Sequence, residues 1–153
     1  MNWQIVQALG PWAGAIATTC AVILALRTSR DASAIRVKVK VTMGCFVQGP
    51  GISDAAVFFS ATNIGQRPVK LTSFGILMSN GQQLVFPDTR GALPANLQES
   101  DYTQYSLPAK ELANSLRNYS LKGTVKLRIY FSDTHDVRHW TKWKFKIDEW
   151  IKV

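Results

Sequence analysis

Val125-Lys-Leu-Arg-Ile-Tyr-Phe131 and Trp140-Thr-Lys-Trp-Lys-Phe-Lys-Ile147 are the two stretches that decide how this chain folds. Both alternate with period two. Val125, Leu127, Ile129 and Phe131 fall on one side of the first, and Lys126, Arg128 and Tyr130 on the other. Thr141, Trp143, Phe145 and Ile147 oppose Trp140, Lys142, Lys144 and Lys146 in the second. Such alternation marks a strand with one buried face. Ser132-Asp-Thr-His-Asp136 between them is dense in turn formers.

Working back toward the amino terminus, the same pattern recurs. Ile35, Val37, Val39 and Val41 alternate with Arg36, Lys38 and Lys40, in a run that extends toward Val47. Gln48 to Asp54 is a turn, Ala55 to Thr62 a β-rich second strand, and Asn63 to Pro68 another turn. Val69 to Met78 is a third strand. Asn80-Gly81 then gives the strongest short hairpin signal before a fourth, Gln83 to Phe86, which Pro87-Asp88 stops. Thr89 to Asp101 reads as loop and Tyr102 to Ser106 as a short strand. Pro108 to Tyr119 predicts a helix, with Pro108 in the first turn and Leu112, Leu116 and Tyr119 as its apolar stripe. Six to seven strands with one inserted helix, without repeats or a βαβ rhythm, predict a mainly-β domain over 35–153, a β-sandwich or small barrel.

Trp3 to Leu26, WQIVQALGPWAGAIATTCAVILAL, contains no Asp, Glu, Lys, Arg or His. A run of this length suits a single transmembrane helix. The expected domains are therefore an anchor over 1–27, a linker over 28–34 and the β domain. A signal peptide would carry its positive charge before the apolar run, whereas Arg27, Arg30, Arg36, Lys38 and Lys40 all follow it. The positive-inside rule then predicts a single-pass inner-membrane protein of bacterial type, with the amino terminus outside and the β domain cytoplasmic. Pro11 leaves open whether the helix starts before or after it. Gly10, Gly14, Ala17, Ala21 and Ala25 repeat a four-residue small spacing that lets helices pack closely in lipid. This predicts a homo-oligomer in the bilayer.

The net charge of +8 lies outside that segment. Residues 27–40 carry five basic and one acidic side chain, net +4; residues 41–116 four and five, net −1; residues 117–153 nine and four, net +5. Basic ends around a neutral middle suggest an anionic partner. Cys20 and Cys45 fall in different segments and do not predict a disulfide. That suits a reducing compartment, with Cys45 as a small buried hydrophobe.

Asn63-Ile-Gly-Gln-Arg-Pro-Val-Lys-Leu71 resembles a turn and strand of small bacterial membrane-anchored β-sandwich proteins, and Phe131-Ser-Asp-Thr-His-Asp-Val-Arg-His139 resembles their turn before the last strand. In layout and charge, the chain also resembles the small membrane effectors of type III CRISPR antiviral defence. That resemblance implies a cytosolic domain sensing cyclic oligoadenylate.

The expected ligand-binding residues are Arg128, Tyr130, Arg138, His139, Trp140, Lys142 and Lys144: cations for phosphates beside rings for bases. If the first and last strands share a sheet, Arg36, Lys38, Lys40 and Lys126 enlarge the same basic face. The plainer reading is a solvated face with lysines guarding an edge, and attraction to anionic lipid is another. Double-stranded DNA is not expected, because no recognition module is visible. His135 and His139, near Asp133 and Asp136, do not converge on a metal from a turn, so no metal or cofactor is expected. No nucleophile, phosphate loop or carboxylate pair points to an enzyme. The sequence reading is thus a membrane-anchored sensor of an anionic, cyclic-oligonucleotide-type ligand. Its alternatives are an adaptor that binds another protein and, more weakly, a hydrolase of the ligand.

Overall fold

The computed structural model describes the backbone of residues 3–48, 51–86 and 92–151. The chain divides into two compact units, Met1–Ala34 and Ile35–Val153.

The first unit is one helix, α1 (Trp3–Ser33). It starts before Pro11 and continues through Thr28–Ser33, the stretch read as linker. α1 does not end with the uncharged run Trp3 to Leu26 but continues without a break into Arg27, Arg30 and Asp31. Among the described residues, no helix is long and apolar enough to cross a membrane. This overturns the transmembrane anchor. It also removes the single-pass inner-membrane placement, since the charges after Leu26 have no span to orient. Gly14, Ala17, Ala21 and Ala25 are exposed on α1, and the argument that they pack in lipid falls with the span. The side chains of Trp3 to Pro11, and the part of the spacing at Gly10, lie outside the described residues.

The second unit is mainly β, with eight strands where six to seven were expected. They are β1 (Val37–Gln48), β2 (Gly51–Asn63), β3 (Val69–Met78), β4 (Gln83–Val85), β5 (Ala95–Leu97), β6 (Tyr102–Pro108), β7 (Thr124–Asp133) and β8 (Arg138–Lys146). Helix α2 (Ala109–Asn118) sits between β6 and β7. One sheet runs β1-β2-β6; the other runs β4-β3-β7-β8, with β5 also paired to β3. All pairings are antiparallel. The architecture is a β-sandwich rather than a barrel. The Pro87-Asp88 stop, the start of the Thr89–Asp101 loop, and Gly49 and Pro50 lie outside the described residues. β5 was read as loop because three residues cannot display a period.

The inward residues of both sheets meet in an aromatic centre. Phe59 and Tyr105 come from one sheet, Phe74 and Phe131 from the other. Ring centroids lie 4.9 Å apart for Phe59–Phe74, 5.0 Å for Phe74–Phe131 and 5.2 Å for Phe74–Tyr105. Each fully buried ring contributes about 1.5–3 kcal/mol. α2 buries Ala109, Leu112, Ala113 and Leu116. Tyr119, expected on that stripe, lies past the helix end and is exposed. Cys45, expected to be buried, is exposed toward the Gln48–Gly51 end of the β1–β2 pair, where the register shifts between Cys45 and Val47.

Asn63 ties its own turn to β5 and to the β5–β6 loop from a fully buried position. Its Nδ2 donates to the carbonyls of Arg67 (2.8 Å) and Leu97 (3.2 Å), and its Oδ1 accepts from Gly65 N (3.0 Å). Its backbone N–H donates to Asp101 O and its carbonyl accepts from Ser100 N. The Asn63-Ile-Gly65 sequence is therefore a structural knot. Asn63→Ala is expected to cost about 2–3 kcal/mol by stranding a buried donor and two carbonyls. Urea unfolding would show this as a lower midpoint with unchanged slope; an unchanged midpoint would refute the knot.

Candidate ligand-binding face

The pairing of β7 with β8 fixes which charges meet. Lys126 stands opposite Lys144, Arg128 opposite Lys142, and Tyr130 opposite Trp140. Arg138 follows on the same face opposite Ser132. On the other flank, β3 places Leu77 opposite Arg128 and Gly75 opposite Tyr130. No carboxylate belongs to an outward position of β3, β4, β7 or β8. Among the described residues, no ion pair neutralises Lys126, Arg128, Arg138, Lys142 or Lys144.

Like charges directly across a strand pair destabilise a sheet. Here two such pairs are consecutive on one face. The sheet relieves them in part with rings. The Arg128 guanidinium lies 5.6 Å and Lys142 Nζ 5.8 Å from the Trp140 ring centre, and the Arg138 guanidinium lies 4.8 Å from that of Tyr130. Trp140 remains 56% exposed, so its ring is still available to a ligand.

Tyr130 is buried, although the alternation placed it outward in solvent. It points to the outer face but lies flat over β3. Its hydroxyl accepts a hydrogen bond from Gln83 Nε2. Gly75 makes room: a Cβ there would stand 2.6 Å from Cζ and 2.8 Å from Cε1 of the ring. Burial pushes the Tyr130 phenol above its ordinary pKa; nearby Arg138 works against this, and Asp136 adds to it. Tyr130 is thus the floor of the face and a support for Arg138, not a ring open to stacking.

Two depressions share this face. The larger, about 630 Å³, is lined by Lys126, Arg128, Lys142 and Lys144, and also by Leu77 and Met78 of β3 and Ser79 and Gly81 of the turn after it. The smaller, about 220 Å³, is lined by Leu77, Arg128, Tyr130, Arg138 and Trp140. Arg128 and Leu77 border both. Lys126 completes the cation quartet but was left out of the expected ligand-binding set. The cross-strand register that recruits it depends on where the turn sits. Leu77 could not be foreseen, because nothing local tells β3 to lie beside β7.

Two other expectations do not converge here. His139 pairs with Phe131 and so takes the opposite face from Trp140. There its Nε2 lies 3.3 Å from Asp133 Oδ2. Arg36, Lys38 and Lys40 precede or lie on β1, which belongs to the other sheet, so they do not extend the β7–β8 face. Asp133 is buried and structural. Its Oδ1 accepts from the backbone N–H of His135 (2.8 Å) and Val137 (3.0 Å). Burial is the largest single influence on its carboxyl and raises the pKa. The two N–H donors and His139 together outweigh it, and the net shift is downward.

No family model matches the chain, and none of the curated proteins matches it. Among solved structures it is similar to a Bordetella pertussis protein described as ApaA, at 13% identity and TM-score 0.40, covering 72% of this chain and 91% of that one. It is also similar to a protein from Archaeoglobus fulgidus, at 12% identity and TM-score 0.29, covering 74% and 97%. At these scores neither likeness bears on function.

Gly75→Ala is expected to destabilise the fold by about 1–3 kcal/mol through overpacking. Most of that cost should vanish when Tyr130→Ala removes the ring. Equal costs in both backgrounds would disprove the close approach. For Asp133 the sign follows from its lowered pKa. Its contribution is complete above the unfolded carboxyl value of about 3.9 and is lost as pH falls through the folded value. Asp133→Asn should therefore be less stable than wild type at pH 7, with a gap that narrows below about pH 4. A gap constant from pH 7 to pH 2.5 would contradict this.

Proposed function

We propose that the outer face of β7 and β8 binds a phosphate-bearing ligand of nucleotide type, with a base against Trp140 and phosphate on the neighbouring cations. The observation that carries the reading is the pair of opposed like charges, Lys126 with Lys144 and Arg128 with Lys142, beside an exposed indole. An anion seated between them would convert two repulsive contacts into attractive ones, and a stacked base is worth about 1–3 kcal/mol. A merely solvated face accounts for lysines, but does not call for two successive unneutralised pairs beside the exposed ring. The sensing role suggested by the sequence is retained only as ligand binding. Output through a membrane helix is dropped, because no described helix spans.

The test is a titration of the full chain with linear and cyclic oligoadenylates at several salt concentrations. Binding should weaken with salt by about 0.7 in log K per log salt for each phosphate contacted. Trp140→Ala should lower affinity about tenfold or more, and Arg128→Ala should both weaken binding and flatten the salt slope. Absence of binding to every oligonucleotide by folded protein would overturn the proposal. So would binding to anionic vesicles alone.

A further inference from the structure

The two depressions differ in chemistry, and their order along the strands says more about the ligand. The following rests on the nucleotide-type reading above. The smaller depression holds the exposed indole of Trp140 with Arg128 at its border. The larger holds all four cations, in two rows. The first row is Arg128 with Lys142; the second, two residues further from Trp140, is Lys126 with Lys144. Partners within a row stand about 5 Å apart at Cβ. Successive rows stand about 7 Å apart along an antiparallel strand.

A single phosphate seated in the first row relieves that row only. It leaves Lys126 and Lys144 opposed, with no carboxylate among the outward strand positions to help. A second anionic group one row further on removes the remaining repulsion. A pyrophosphate, whose two phosphorus atoms share one bridging oxygen, is too compact to centre on both rows. Phosphates separated by a ribose have a spacing closer to the one the rows present.

We propose that this face is a site for at least two successive nucleotide phosphates of a single-stranded oligonucleotide. One base stacks on Trp140 and the backbone runs along β8 toward Lys144. Lys126 and Lys144 form the second phosphate subsite, and Ser79 and Gly81 of the β3–β4 turn border the larger depression beside it. Mononucleotides and nucleoside diphosphates fill only part of it.

The experiment compares three probes on the full chain: adenosine 5′-monophosphate, adenosine 5′-diphosphate and the 5′-phosphorylated adenylate dinucleotide. The last two carry similar charge but differ in phosphate spacing. The dinucleotide should bind about tenfold tighter than either of the others, with a salt slope steeper than that of the monophosphate by about 0.7. In the Lys126→Ala/Lys144→Ala double variant, dinucleotide affinity should fall about tenfold, while the monophosphate loses less than about threefold. The monophosphate measurement also checks that the variant is folded. Equal affinity for the diphosphate and the dinucleotide would overturn the two-subsite site while leaving nucleotide binding in place. Equal losses for both probes in the double variant would do the same. Failure of all three probes to bind wild-type protein would overturn the nucleotide reading itself.

Discussion

β7 is hydrogen-bonded on both sides, to β3 and to β8, and that double pairing is the constraint on which the domain rests. A strand in this position cannot slip. A shift of one residue would send Val125, Leu127, Ile129 and Phe131 into solvent and bring Lys126 and Arg128 into the core. The inner positions are buried against the aromatic centre and fix the register. Once the register is fixed, the outer positions have no freedom in what they face. The opposed cations follow from the requirements of the core on the other side of the same strand.

The ends of β7 and β8 are held as firmly as their middles. Asp133 closes the turn through two backbone N–H groups and reaches back to His139. Asp136 takes a positive φ of 62° to complete that turn. On the opposite flank, the missing side chain at Gly75 lets Tyr130 lie across β3, so that Arg138 rests on a ring that is itself packed. The face therefore has a packed floor beneath its cations.

How much of this was legible in the sequence depends on the range of the interaction. Val69–Met78 was readable to the residue because its apolar content and turn boundaries are local. The inward set of β7 was legible from alternation alone. Tyr130 was misjudged because its burial is set by Gly75 and Gln83, which no local pattern connects to it. His139 was placed with Trp140 because both are rings beside cations. Adjacent residues on a strand point to opposite faces, and the period places the pair correctly once β8 is known to begin at Arg138. The amino-terminal segment was misread for another reason. Its lack of charge and its length suggested a membrane span, but among the described residues no helix is long and apolar enough to cross a membrane.

The cations of the proposed binding face, apart from its flank on β3, are confined to one hairpin, from Lys126 to Lys144. Positions that face solvent interleave with positions that hold the core. Substitutions at every second residue could therefore retune what is recognised while the intervening residues keep the domain intact. Such a segment is open to rapid diversification and could be transplanted as a unit. The contacts of Tyr130 with Gly75 and Gln83, and of the cations with Leu77, resist this, because they tie the face to strands far away in sequence.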